Sequence, residues 1–462
     1  MCADDFGSAL KALKSLRIHA SIFRLAVSVA GLHLKPSKCI LIVSGFPLNA
    51  FLVTAIRNWL AEHVPDFAVL TIASSGKYLG WYPGVDDVSN SFKGPVQKFG
   101  SRIEEIKSGN APAAASFCRY NQRAIPVLSY VAQFAVPPQD LNFSSMYARA
   151  VHSMLRMPAN SLTWKLCRNI SFCSVVEPIP IDVYCAACLF RFAQSEREYI
   201  LELWQTIKHR VMDIPPLNEL GGYQLPFGSI SSPSILQSLL GALDFQGVLS
   251  LIPAVCRNND AHSWILDFPV TPMPQRRGGI QSAVLEILKE GYSAVDLPLL
   301  LAQKAGVTVG HEYVRSIDLQ IDWFHDLQAV FQQCGLFLRM CWLKAIAGAW
   351  TTTSRMHQDI VWPCIFGCTD ARDEVRHYFI CPVIWQIARE TLNLHEDSIS
   401  IGERLCLINP SVSKLKLLAF CHTLYHSCKN DRECVQSNGE IQSPLIVQNR
   451  ASDIARFVKH LV

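Results

Sequence analysis

Residues 363–385 read PCIFGCTDARDEVRHYFICPVIW, and this stretch brings three cysteines and one histidine close together along the chain. Three residues separate Cys364 from Cys368, eight separate the two pairs, and three separate His377 from Cys381. Three thiolates and one imidazole make a closed tetrahedral shell of the structural zinc type, with no open position for catalysis. The spacing therefore predicts a small zinc knuckle that binds Zn²⁺ through these four side chains. The alternative is four buried residues that hold no metal.

The composition around this stretch is that of a folded chain. Half of the 462 residues are hydrophobic and 17% are charged, which argues against intrinsic disorder. The length suggests about two to four domains. The 17 cysteines are not preceded by a secretory signal, and no uncharged apolar run is long enough to span a membrane. We therefore expect an intracellular protein, cytoplasmic or nuclear and not secreted, without disulfides and without a membrane partner.

Positive charge is concentrated in the first part of the chain. Residues 1–130 hold 14 Lys and Arg against 8 Asp and Glu, whereas the remainder holds 28 against 30. Such a surplus favours contact with the phosphate backbone of a nucleic acid. An ordinary solvated surface explains the same numbers equally well.

Several motifs follow one another in this basic part. Asp4 and Asp5 form an acidic pair of the kind that can bind Mg²⁺ for nucleotidyl transfer, although a solvated turn is the simpler explanation of the pair alone. Apolar residues at helical spacing predict an amphipathic helix over Ser8–Ala30. A short strand is predicted at Cys39–Val43, and Tyr78-Leu79-Gly80 follows further along the chain.

This series resembles the C-terminal portion of reverse transcriptases from non-LTR (LINE-type) retrotransposons. In that family an acidic box is followed by a helix, a strand that carries a lysine, and a YLG turn that supports the primer end. The resemblance implies that Asp4 and Asp5 are the catalytic, metal-binding pair. It also implies that Lys38, Tyr78 and Gly80 contact nucleic acid.

The same resemblance implies an incomplete polymerase. In the family the acidic pair works with another aspartate that lies well upstream, and here the chain begins one residue before the acidic box. We therefore expect that this RNA-directed DNA polymerase family member is truncated and cannot polymerise DNA alone. Mg²⁺ would be a cofactor only if the palm were complete.

The segment from residue 93 to 165 is similar to the thumb of LINE polymerases, through LSYVAQF at 128–134 and LRMPAN at 155–160. Thumbs are helical and hold the template–primer duplex through phosphate contacts. A helical bundle with a charged exterior is the alternative. The residues that would contact phosphates are Lys98, Arg102, Lys107, Arg119 and Arg123.

The zinc-knuckle stretch also resembles the zinc-binding domain of LINE polymerases, in which the pattern E..H.f..C....W is typical. The spacing from His377 to Cys381 is one residue shorter than is usual there. Arg355 is the implied nucleic-acid contact near the metal, with Arg372 and Arg376. A second metal site near His422 and Cys428 stays open, because these residues lie in a cluster that also holds Cys421, His426 and Cys434.

The fold class predicted from these patterns is mainly α with a small α+β remnant. Apolar patterns predict helices at Leu336–Trp350 and Val412–Cys428. The resemblance implies a division of the chain into a palm remnant at 1–92, a thumb-like helical region at 93–165, a helical middle region of unknown role at 166–334, a zinc-binding domain at 335–395, and a tail at 396–462.

Three functions are compatible with the sequence. The first is a truncated non-LTR retrotransposon reverse transcriptase. The second is a catalytically dead module that binds RNA or DNA without sequence preference. The third is a zinc-stapled helical interaction protein without affinity for nucleic acid.

Overall fold

The fold is described from a computed structural model. It covers residues 7–10, 12–43, 48–83, 88–133, 141–173, 176–185, 187–188, 285, 296–310, 323–357, 359, 361–368, 370–394, 400–429 and 444–460. The chain divides into two compact units. Unit 1 comprises Met1–Ser101, Ile125–Asn142 and Asp182–Gly291, and unit 2 comprises Arg102–Ala124, Phe143–Ile181 and Tyr292–Val462.

Helices account for most of the described residues, and this confirms the prediction of a mainly α chain with few strands. The strands are β1 Ile40–Ile42 and β2 Thr71–Ala73. The helices are α1 Leu16–Ala30, α2 Ala50–His63, α3 Val88–Ser108, α4 Ala113–Arg119, α5 Ser129–Ala132, α6 Phe143–Leu155, α7 Trp164–Arg168, α8 Leu297–Val309, α9 Trp323–Gln332, α10 Leu336–Ile346, α11 Val375–Ile380, α12 Pro382–Leu392, α13 Ile401–Arg404, α14 Val412–Lys429 and α15 Pro444–Lys459.

Unit 1 contains a β–α–β arrangement. Strands β1 and β2 pair in parallel, with Ile40 opposite Thr71 and Ile42 opposite Ala73. Parallel strands need a crossover connection, and α2 supplies it. Asn49 caps α2, since its side chain accepts a hydrogen bond of 2.8 Å from the Leu52 amide.

Helix α1 begins later than the sequence predicts. A 3₁₀ turn at Leu13–Ser15 precedes it, and the helix ends at Gly31, whose φ of 65° is the left-handed value that glycine adopts at helix ends. The core lies on the face of Leu16 and Ala20. The apolar stripe that runs along the other side is exposed, at 64%, 57%, 63% and 78% for Ile18, Ile22, Leu25 and Val29.

The predicted YLG motif forms a tight turn. The backbones of Tyr78 and Trp81 exchange hydrogen bonds of 2.7 and 2.9 Å. Leu79 and Gly80 have φ of 49° and 90°, which is the pattern of a type I′ turn. The ring of Tyr78 lies against Gly7, where a Cβ would come within 2.8 Å of Tyr78 Cζ. A larger residue at position 7 would therefore displace the ring.

Unit 2 packs around buried aromatic side chains. Trp342 of α10 donates a hydrogen bond of 2.8 Å from its indole to the Leu405 carbonyl. Trp350 stacks on Tyr425 at 5.3 Å and on Tyr378 at 6.0 Å between ring centroids. Aromatic pairs at such distances stabilise a fold by more than the burial of their apolar surface alone. Helix α14 packs against α10, α12 and α15.

Two predicted helices of this unit can be compared with the structure. The helix predicted at Val412–Cys428 is confirmed as α14. The helix predicted at Leu336–Trp350 ends at Ile346, because Gly348 takes a φ of 60° and turns the chain. Helix α15, in the region predicted as a tail, was not foreseen. Most of the predicted middle region lies outside the described residues.

Candidate metal centre

Cys364 and Cys368 lie in a tight turn at the start of the predicted knuckle. The Cys364 amide donates to the Ala371 carbonyl at 2.8 Å, and the Gly367 amide donates to the Cys364 carbonyl at 3.1 Å. Gly367 has a φ of 82°, a conformation that a side chain would strain. The turn thus brings the two sulfur atoms to the same side of the chain.

His377 and Cys381 lie where two helices meet. His377 is on α11, and Cys381 is the N-cap of α12, whose first residue is Pro382. Proline suits the first helical position because the backbone amide at that position has no partner within the helix, so its loss costs no hydrogen bond. The break between the helices aims both ligands back towards the turn.

The four ligand atoms converge. All lie within 4.8 Å of one another, with Sγ–Sγ distances of 3.5 Å from Cys368 to Cys381 and 4.0 Å from Cys364 to Cys381. A tetrahedral zinc with bonds of about 2.3 Å to sulfur separates two thiolates by about 3.8 Å. The His377 imidazole lies against the Cys364 thiol, and its Nε2 atom is buried without a hydrogen-bond partner in the described part of the chain. The residues present fit Zn²⁺.

The thiols of this cluster influence one another's protonation. The hydrogen bond with Cys381 lowers the pKa of Cys364 to about 4, and the same bond raises the pKa of Cys381. Burial raises the pKa of Cys368. One thiolate therefore forms readily, and the charge of a divalent ion would be needed to keep all three cysteines in the thiolate form.

A buried carboxylate supports the turn from behind. Asp373 is fully buried and accepts hydrogen bonds from the Thr353 amide at 2.6 Å, the Thr353 hydroxyl at 2.8 Å, the Tyr378 hydroxyl at 2.6 Å and the Tyr425 hydroxyl at 3.2 Å. This network joins the zinc-ligand segment to α14. The role of Asp373 could not be foreseen from the sequence, because an aspartate in a polar stretch carries no signal of burial.

The residues around α3 that were predicted to contact phosphates lie in the described part of the chain, but most of them form ion pairs with acidic side chains. Arg102 pairs with Glu105 at 2.6 Å, Lys107 with Glu104 at 3.3 Å, and Arg123 with Glu105 at 3.7 Å. Such surface pairs contribute about 0–1 kcal/mol and can exchange partners readily. Lys98 belongs to unit 1, whereas Arg102, Lys107, Arg119 and Arg123 belong to unit 2. The side chains of Lys98, Arg119 and Arg123 are exposed.

The remaining predicted nucleic-acid residues fall in different places. Asp4 and Asp5 lie outside the described residues. Lys38 is exposed at the end of a 3₁₀ turn, Tyr78 is half-buried and Gly80 is exposed. Arg355 is half-buried and donates to Ser161 Oγ at 3.3 Å.

The second metal site near His422 and Cys428, which the sequence leaves open, is not among the groups of ligands that converge in the described part of the chain. Among the described residues only the Cys364 cluster brings three or more possible ligands together. His422 and His426 lie on consecutive turns of α14, with ring centroids 4.4 Å apart and ring planes tilted by 55°, and Cys341 Sγ lies 3.6 Å from His422 Nδ1. Cys428 is buried, and Cys434 lies outside the described part of the chain.

Comparison with family models, with curated proteins and with solved structures yields no match for this chain. Among the helices described here, none combines the length and the apolar character that crossing a bilayer requires.

Proposed function

We propose that Cys364, Cys368, His377 and Cys381 bind one structural Zn²⁺. The observation that carries this proposal is the convergence of four ligand atoms, three thiol sulfurs and one imidazole nitrogen, within 4.8 Å of one another. Bound zinc would lock the turn and the two short helices together, and the closed shell leaves no position for a reacting water.

The zinc-supported protein, in this proposal, binds RNA or DNA and is related to non-LTR retrotransposon reverse transcriptases. The order of motifs supports it, as do the exposed cations Lys98, Arg119 and Arg123. The contact of Gly7 with Tyr78 is a further support, because Gly7 follows the acidic pair by two positions and lies against the YLG turn. Polymerisation is not part of the proposal.

A specific observation favours a second candidate, a zinc-stapled interaction protein without affinity for nucleic acid. Glu104 and Glu105 already neutralise part of the basic surface around α3. A nucleic acid would have to displace these carboxylates.

The two candidate functions can be distinguished by measuring the affinity of the full, zinc-loaded chain for fluorescent single-stranded RNA and DNA. We expect sequence-tolerant binding whose affinity falls with salt, with a slope of about 0.7 per phosphate contact. The triple variant Lys98→Gln, Arg119→Gln, Arg123→Gln should bind at least tenfold more weakly. A control of equal charge, Lys165→Gln, Arg456→Gln, Lys459→Gln, should bind like the parent chain. No binding at all would favour the interaction protein. Equal losses in both variants would show that Lys98, Arg119 and Arg123 are not the contacts.

A further inference from the structure

Two of the candidate zinc ligands, Cys368 and Cys381, have sulfur atoms that touch. Their Sγ atoms lie 3.5 Å apart, whereas the Sγ atoms of Cys364 and Cys381 lie 4.0 Å apart. A disulfide joins two sulfur atoms at about 2.05 Å, so the first pair needs the smaller movement to form one. Cys368 ends the turn that begins at Cys364, and Cys381 is the N-cap of α12. A disulfide between them would therefore join the same two parts of the knuckle that a bound metal would join.

The three thiols differ in how far solvent reaches them. Cys368 is half-buried and follows the exposed Gly367, whereas Cys364 and Cys381 are only 5% and 0% exposed. The Cys364 sulfur also accepts a hydrogen bond of 3.4 Å from the Phe366 amide. A small oxidant from solution therefore meets Cys368 first, and the sulfur of Cys381 lies directly against it.

Other cysteines of the described chain lack this combination of access and proximity. Cys39 and Cys118 are half-buried as well, but neither has another cysteine as a hydrogen-bond partner among the described residues. Burial raises the pKa of Cys167 and that of Cys341 to about 12, so these two thiols stay protonated. Peroxides oxidise the thiolate form of cysteine. Oxidation should therefore favour the knuckle.

We propose that Cys368 and Cys381 are a site of reversible oxidation, at which a peroxide converts two zinc-bound thiolates into one disulfide. The inference rests on the proposed zinc site and adds a means of regulation to it. In a zinc-loaded chain all three cysteines are thiolates, so access and distance decide which of them react. Both favour this pair over the pairs that include Cys364.

The reaction has two steps. The Cys368 sulfur attacks one oxygen of the peroxide, the O–O bond breaks, and hydroxide leaves, which makes Cys368 a sulfenic acid. The Cys381 thiolate then attacks the Cys368 sulfur, the S–O bond breaks, and a second hydroxide leaves. The two thiolates lose two electrons, and the peroxide gains them. The two hydroxides take up protons from solvent and become water.

Oxidation would release the metal without freeing the chain. The disulfide removes two of the four ligands, and Cys364 and His377 alone do not complete a tetrahedral shell. The turn and the start of α12 nevertheless remain joined, now by a covalent bond. The oxidised chain should therefore keep more hydrogen-exchange protection over residues 361–394 than a chelated chain. A reducing environment restores both thiols, as is usual for disulfides that form transiently inside cells.

The test treats the full, zinc-loaded chain with hydrogen peroxide in a thiol-free buffer. A colorimetric indicator measures released zinc, and peptide mass spectrometry locates the disulfide after the remaining thiols have been alkylated. We expect the loss of one equivalent of zinc together with a disulfide between Cys368 and Cys381. A phosphine reductant and added zinc should reverse both changes. The control variant Cys39→Ser, Cys118→Ser lacks the other two half-buried cysteines of the described chain and should lose zinc at the parent rate.

Several outcomes would overturn the inference. Zinc could stay bound while thiols elsewhere are oxidised, or the disulfide could join Cys364 to another ligand. Slower loss of zinc from the control variant would show that the oxidant acts through Cys39 or Cys118. Equal hydrogen-exchange protection in the oxidised and chelated chains would show that the disulfide does not hold the turn. A chain that holds no zinc before peroxide is added would contradict the proposed zinc site itself, and this measurement precedes the oxidation.

Discussion

At the scale of single residues, Asp373 shows how much a buried carboxylate can hold together. One of its oxygens accepts from both donors of Thr353, and the other accepts from Tyr378 and Tyr425. An amide in its place could accept on one side only. With its oxygen towards Thr353, its N–H group would face the two tyrosine hydroxyls, which would lose their acceptor and have to turn their protons away. We therefore predict that Asp373→Asn destabilises the zinc-loaded chain by about 2–4 kcal/mol in urea unfolding.

The matched control for this prediction is Asp370→Asn in the same turn. Asp370 is exposed and has a φ of 58°, a conformation that asparagine tolerates as well as aspartate. We expect its free energy of unfolding to stay within about 0.5 kcal/mol of the parent value. An Asp373→Asn chain as stable as Asp370→Asn would mean that the four hydrogen bonds contribute nothing net.

The metal ligands and their supporting residues differ in how far a sequence reveals them. Cys364, Cys368, His377 and Cys381 could be predicted because zinc geometry imposes short, regular spacings within each pair of ligands. Asp373 and Tyr425 could not be paired in advance, because they lie 52 positions apart in the sequence and only packing brings them together. Hydrogen bonds of this kind leave no periodic trace in a sequence.

At the scale of elements, α1 illustrates the limit of hydrophobic periodicity. The pattern identified the helix, but the helix has two apolar stripes, and the described core uses the one that carries Leu16 and Ala20. The stripe of Ile22 and Leu25 is exposed. Periodicity gives the spacing of apolar residues and cannot choose between two such faces without the neighbouring elements.

The two kinds of apolar position in unit 1 should respond differently to truncation. Leu60 of α2 is fully buried in the core, whereas Ile22 is 57% exposed. We predict that Leu60→Ala lowers the free energy of local unfolding by about 2–5 kcal/mol and that Ile22→Ala changes it by less than about 0.5 kcal/mol. Hydrogen exchange of the peptide Ala50–His63 measures both. A comparable loss from Ile22→Ala would show that the stripe is covered in solution.

At the scale of the whole molecule, the two compact units would limit the effect of a bound zinc to one of them. The four candidate metal ligands and the Asp373 network lie in unit 2, and the network reaches α14 through Tyr425. The described core of residues 10–72 is built from unit 1 side chains alone. The predicted zinc domain and the predicted tail therefore share one packed unit, which the sequence did not indicate because α14 joins them by contacts distant along the chain.

Removal of zinc should consequently unfold one part of the chain and spare another. Structural zinc contributes roughly 10–16 kcal/mol of apparent binding free energy in small zinc-finger peptides, so a chelator removes much of what holds the ligand segment together. We predict one zinc per chain by elemental analysis, and after chelation a loss of hydrogen-exchange protection over residues 361–394 and in α14. Protection of α2 should not change. The variant Cys368→Ser should behave like the chelated chain, whereas Cys118→Ser, at a half-buried cysteine outside the cluster, should keep its zinc. A Cys368→Ser chain that retains a full equivalent of zinc, or a parent chain whose protection survives chelation, would show that the cluster is four packed side chains and not a metal centre.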